Sequence, residues 1–126
     1  MPVCLSAGAA VAVIATQSFT LAWNHSVEKL RWEEDWRIEA GHLTLAEARI
    51  RGTGAGMEPP EGAVLRNGIW HYRPAPPHGG VIRLGASRFA QDYEVCFAGA
   101  CRHLAEVLPR EDEGAVVVSA CGEPPR

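Results

Sequence analysis

Polar and apolar residues alternate with period two along most of this chain, and short breaks rich in Gly or Pro interrupt them. Successive side chains of a strand point to opposite faces, so the period predicts half-buried β-strands. Strands are expected over Val3 to Ala7, Val11 to Thr16, Phe19 to His25, Trp32 to Glu39 and His42 to Ile50. Further strands are expected at Val64 to Arg66, Ile69 to Tyr72, Val81 to Leu84, Ala90 to Phe97, Ala100 to Val107 and Ala115 to Ala120. Leu104 to Leu108 also fits a single helical turn. The breaks carry hairpin chemistry. Asn67-Gly68 suits a turn whose two central residues both need positive φ, and Ala40-Gly41 and Ala98-Gly99 have the same length. Gly8 marks a turn between the first two strands. Gly52 to Pro60 and Pro74 to Gly80 read as irregular loops. The expectation is a single all-β domain over residues 1–126, an antiparallel β-sandwich or small barrel with long Gly/Pro-rich loops.

The densest chemistry lies in Trp23-Asn24-His25-Ser26-Val27-Glu28-Lys29 and Trp32-Glu33-Glu34-Asp35-Trp36. Extending the Ala40-Gly41 hairpin at constant register pairs Ile38 with Leu43, Trp36 with Leu45, Glu34 with Glu47 and Trp32 with Arg49. All eight then share the apolar face. His25 ends the inward stripe Phe19, Leu21, Trp23, so His25, Glu34, Glu47 and Arg49 are expected to converge at one end of the core. Facing carboxylates repel unless an arginine bridges them, a cation binds, or one takes up a proton. A network with Arg49 is the plainest solution. Asp35 points outward in this register, which leaves too few oxygens for a hard cation.

Other candidates weaken on inspection. His25 and Ser26 are strand neighbours and face opposite ways, so they make no nucleophile–base pair. Glu28 is placed to cap the turn beginning at Ser26. Gly54 and Gly56 belong to a Gly-rich loop that lacks the spacing and the following helix of a phosphate cradle, and an anion-binding nest is the minor reading there. No catalytic residue, cofactor or metal ligand set is assigned.

Composition narrows the class. With 126 residues, 47% hydrophobic and 21% charged, the chain can bury one core. A net charge of −3 argues against nucleic-acid binding, which needs a basic face. No Lys or Arg precedes Lys29, and the apolar N-terminal run is short and broken. It therefore reads as two strands, with a degenerate signal peptide as runner-up, and no integral membrane segment is expected. Cys4, Cys96, Cys101 and Cys121 allow three pairings. In the Ala98-Gly99 hairpin Cys96 faces Cys101 at a close, non-hydrogen-bonded position. Cys4 and Cys121 lie on the first and last strands, which can be neighbours. At least one disulfide is expected, and with it an oxidising compartment.

The run His25-Ser26-Val27-Glu28-Lys29, then Trp32-Glu33-Glu34 to Trp36-Arg37, Glu47-Ala48-Arg49 and Gly52-x-Gly54-Ala55-Gly56-Met57-Glu58-Pro59-Pro60, resembles the signature of the bacterial domain-of-unknown-function family 1850. The resemblance runs from Cys4-Leu5 to about Tyr72, and more loosely to Cys121. It implies an accessory role beside TAXI-type TRAP transporters, with their membrane or solute-binding subunits as partners, and a periplasmic or membrane-associated location. Other members carry a clearer N-terminal membrane signal, so a cytoplasmic location is the alternative. The expected function is a non-enzymatic binding or interaction module. The alternatives are a small enzyme using Glu34 and Glu47 as an acid–base pair with His25, and a Ca²⁺-binding regulator using the same carboxylates.

Overall fold

The computed structural model describes residues 2–24, 31–51, 62–73, 81–84, 93–109 and 115–121. Among these residues eleven strands and one helical turn are formed: β1 (Val3–Ala7), β2 (Ala10–Ile14), β3 (Ser18–Asn24), β4 (Arg31–Glu39), β5 (His42–Arg51), β6 (Val64–Arg66), β7 (Ile69–Tyr72), β8 (Ile82–Leu84), β9 (Glu94–Phe97), β10 (Ala100–His103), α1 (Leu104–Val107) and β11 (Val116–Ala120). Every pairing is antiparallel. The strands make a four-stranded sheet in the order β2-β1-β11-β8 and a seven-stranded sheet in the order β10-β9-β3-β4-β5-β7-β6. The two sheets stay separate, so the fold is sandwich-like and is not closed into a barrel.

Turn chemistry explains the hairpins. Ala40 and Gly41 have φ of 51° and 79°, Asn67 and Gly68 52° and 77°, Ala98 and Gly99 52° and 78°. Positive φ at both central residues matches the turn twist to the right-handed twist of the strands. Two of these turns hold an alanine where the left-handed conformation is sterically disfavoured, so the flanking ladders hold it there. Residues 104–107 take the helical alternative: the Leu108 amide donates to the Leu104 carbonyl at 2.8 Å.

Period-two burial builds the core. Val3, Leu5 and Ala7 of β1, Val116 and Val118 of β11, and Ile82 and Leu84 of β8 face Phe19, Leu21, Trp36, Leu43 and Val95 of the larger sheet. Leu104 and Leu108 close one end. Val3 and Leu5 are each 1% exposed, so the β1–β2 hairpin packs as part of the folded domain. Among the described residues no helix is long and apolar enough to cross a membrane.

Both disulfides form. Cys96 and Cys101 are direct cross-strand partners with Cα atoms 3.9 Å apart. Cys4 joins Cys121 beside the β1–β11 ladder, where the Cys121 amide donates to the Pro2 carbonyl at 3.1 Å. The sequence separations are 117 for Cys4–Cys121 and 5 for Cys96–Cys101. Restriction of the unfolded chain scales with the logarithm of loop length, about 5 kcal/mol for the first and about 2 kcal/mol for the second. Urea unfolding of Cys4→Ala/Cys121→Ala and Cys96→Ala/Cys101→Ala is therefore expected to show the larger loss for the terminal pair. Equal losses would contradict this ranking.

Candidate functional site

The β4–β5 hairpin begins in the expected register, with Ile38 opposite Leu43 and Trp36 opposite Leu45. It then slips. Asp35 faces Glu47, so Ala46 is an extra residue on β5, a β-bulge. Beyond it Glu34 faces Ala48, Glu33 faces Arg49, and Trp32 faces Ile50. The expected Glu34–Glu47 and Trp32–Arg49 pairs do not form, because one inserted residue moves every later β5 side chain to the other face. Glu47, Arg49 and Arg51 lie outside, while Ala48 and Ile50 are buried inside at 1% exposure each. The convergence expected on the inner face thus divides into two sites.

The outer site is a charge network. Arg49 donates to both carboxylate oxygens of Asp35, from Nη1 at 2.5 Å and from Nη2 at 2.8 Å. Its Nε reaches Glu33 at 3.2 Å and its Nη1 reaches Glu47 at 3.5 Å. Glu33 also accepts from Arg51 at 2.8 Å and from Arg31 at 3.1 Å. Arg31 continues to Glu94 on β9 at 2.5 Å. Since β3 lies between β4 and β9, and Ala22 pairs with both Glu33 and Glu94, the Arg31 side chain passes over Ala22. That roof explains how an outward-facing alanine is 0% exposed. His71 of β7 sits with Nδ1 2.6 Å from Glu47, and Thr20 donates to Asp35 at 2.7 Å.

These contacts fix the protonation states. The Arg49 guanidinium holds the Asp35 carboxyl below its ordinary value against the opposing effect of burial, and Thr20 adds to it. Burial pushes Glu33 up, but the hydrogen bonds from Arg51, Arg31 and Arg49 outweigh it and its pKa falls. The hydrogen bond from His71 lowers Glu47. Arg49 is raised, chiefly by Asp35. Charge-assisted hydrogen bonds of this kind favour the ionised carboxylates and hold their side chains in place.

The inner site is different in kind. Glu34 lies on the core side between Trp32 and Trp36 along β4, with Leu21 and Ala48 beside it on the neighbouring strands. Its one hydrogen bond among the described residues is from the Trp36 indole at 3.4 Å. Burial raises its pKa, and the indole offsets this only in part. Tyr72 and Tyr93 are both raised, first by burial and then by the Glu34 charge. Trp23 stacks on Trp32 with ring centroids 6.2 Å apart and lies 5.8 Å from the Tyr93 ring. The Trp32 indole N–H is buried and has no partner among the described residues.

Of the residues expected to form the site, His25, Ser26, Glu28, Gly54 and Gly56 lie outside the described residues. Glu47 and Arg49 meet, but on the outer face, and Glu34 is apart from both. Arg31, Glu33, Asp35, Arg51, His71 and Glu94 were not anticipated as members. A signal for most of them was present: β4 reads Arg-x-Glu-x-Asp-x-Arg-x-Glu on its outer positions, and in β5 the apolar positions change from Leu43 and Leu45 to Ala46, Ala48 and Ile50. Among the described residues no group of three or more His, Cys, Asp or Glu side chains is arranged to hold a metal ion.

The residues that build the network, from Thr20 to Glu94, all fall within the span matched by a family model. The family model for a domain of unknown function, DUF1850, matches residues 19–104. The chain belongs to the DUF1850 family. The matched span holds β4, β5, β7 and β9 and all of β3 but Ser18, and it leaves out β1, β2 and β11 of the smaller sheet. Comparisons with curated proteins and with solved structures gave no match.

The DUF1850 network makes a signed prediction. Asp35, Glu33 and Glu47 have lowered folded-state pKa values, so their stabilisation is complete above the unfolded value near ~4 and is lost as pH falls through the folded values. Arg49→Met leaves Asp35 without its guanidinium and Glu33 with only Arg31 and Arg51, and is expected to cost about 2 kcal/mol at pH 7. That figure is reduced from the fully buried case because Asp35 is partly exposed. The gap between Arg49→Met and wild type, followed by urea unfolding, should narrow at pH 3. A gap independent of pH would mean that Arg49 acts through packing alone.

Proposed function

We propose that this DUF1850 domain is a non-enzymatic binding and interaction module serving a TAXI-type TRAP solute uptake system, with the transporter's membrane subunits or its solute-binding protein as partners. The observation that carries this reading is the state of the carboxylates. Glu33, Asp35 and Glu47 are held ionised by arginine and histidine neighbours. A general acid needs a pKa near the working pH, and these three are displaced away from it. Their outward position on a ladder of mixed charge suits a partner of complementary charge, for which such surfaces give orientation and specificity.

Two disulfides fit an oxidising environment. The periplasm is the compartment in which a partner of a solute-binding protein would meet both conditions. Acid–base catalysis by a Glu34–Glu47 pair does not suit the register, since the two lie on opposite faces of the sheet. The Ca²⁺ reading, which uses the same two carboxylates, is weaker for the same reason, and Glu47 already contacts Arg49 and His71.

A chromosomally tagged chain is expected to co-purify with the cognate TRAP subunits, and deletion should lower uptake of the transported solute. Unchanged uptake together with no association would overturn the proposal.

A further inference from the structure

The inner face of the larger sheet carries a group the charge network does not use. The strand registers place side chains there in rows. One row runs Tyr72, Ala48, Glu34, Leu21 and Val95. The adjacent row runs Trp70, Ile50, Trp32 and Trp23, with Tyr93 against Trp23. Glu34 is thus a carboxylate set in a field of indole and phenol rings. The seven-stranded sheet is wider than the four-stranded sheet facing it. Leu21, Ala48, Ile50 and Val95 are buried there, while Glu34, Trp23, Trp32, Trp70, Tyr72 and Tyr93 are only partly so.

We infer that Glu34 and its aromatic neighbours form a binding site for a small organic ammonium ion, which deepens the binding-module reading above by naming a ligand class. Three independent features meet there. Among the described residues no cation pairs with Glu34, whereas each outer carboxylate of the β4–β5 ladder has at least one arginine. Indole and phenol faces attract cations electrostatically, most strongly where water is thin. The buried Trp32 N–H lacks an acceptor among the described residues, and an unsatisfied buried donor marks an incomplete hydrogen-bond set. A hard metal ion would require several more oxygens. A neutral sugar would leave the carboxylate without a counter-charge. An alkylammonium supplies N–H donors to Glu34, an apolar body to the rings, and, where it also bears a hydroxyl or carbonyl, an acceptor for Trp32.

The test uses the purified, disulfide-intact protein with n-butylammonium as probe and n-butanol as its neutral counterpart, read by tryptophan fluorescence and calorimetry. Butylammonium is expected to give a saturable response with affinity at least about tenfold above butanol, the margin of one charge-assisted hydrogen bond. Glu34→Gln should abolish that margin without lowering the melting temperature, since it removes a charge that burial disfavours. In the wild type, affinity should fall as acid protonates Glu34, which needs no variant. Absence of a saturable response, equal affinity for the two probes, or an undiminished margin in Glu34→Gln overturns the inference. Such a failure leaves co-purification with the transporter untouched, so the two readings fail separately.

Discussion

An extra residue in β5, Ala46, decides which face of the larger sheet each later side chain of that strand occupies. Without the bulge, Glu47, Arg49 and Arg51 would point into the core and Ala48 and Ile50 into water. Three charged groups would then have to be desolvated among tryptophans, at a cost of several kcal/mol each. With it, the same ten-residue strand contributes Leu43 and Leu45 to the core before the bulge, Ala48 and Ile50 after it, and an unbroken charged stripe outside. The bulge also keeps Glu34 apart from every guanidinium of that stripe.

The outer network follows from that separation. Arg31, Arg49 and Arg51 face Glu33, Asp35, Glu47 and Glu94, and His71 lies against Glu47. Contacts reach from β9 across β3 and β4 to β5 and β7, so the network ties five neighbouring strands side by side. Individual exposed ion pairs contribute little, but a half-buried set with bidentate geometry resists rearrangement. The disulfides act at other points, one clamping the β9–β10 hairpin and one joining the first strand to the end of the last. The smaller sheet depends on that second link and on the β1–β11 ladder, since β1 and β11 come from opposite ends of the chain.

Local chemistry was legible wherever it was self-contained. Ala40-Gly41, Asn67-Gly68 and Ala98-Gly99 each sit in the expected two-residue turn, and the last places Cys96 opposite Cys101. The N-terminal hairpin at Gly8 and the helical turn at Leu104 also follow from short-range pattern. Extending the register from the turn at constant phase passes over the bulge, although the shift of apolar positions from Leu45 to Ala46, Ala48 and Ile50 marks it. Long-range neighbours are another matter. That β3 lies between β4 and β9, bringing Arg31 to Glu94 over Ala22, is set by how the whole core packs. A period-two pattern is the same whichever strand lies alongside, so neither Glu94 nor His71 could be placed from it.

The bulge leaves Glu34 without a cationic partner among the described residues, in an aromatic field, while its sequence neighbours are held by arginine. Carbon-detected NMR titration of the individual carboxyl groups tests this most directly. Glu34 should titrate above the ordinary glutamate value of about 4.3, with Glu33, Asp35 and Glu47 below their ordinary values and Glu34 independent of Glu47. A Glu34 midpoint at or below the ordinary value, or a shared two-step titration of Glu34 with Glu47, would contradict the account.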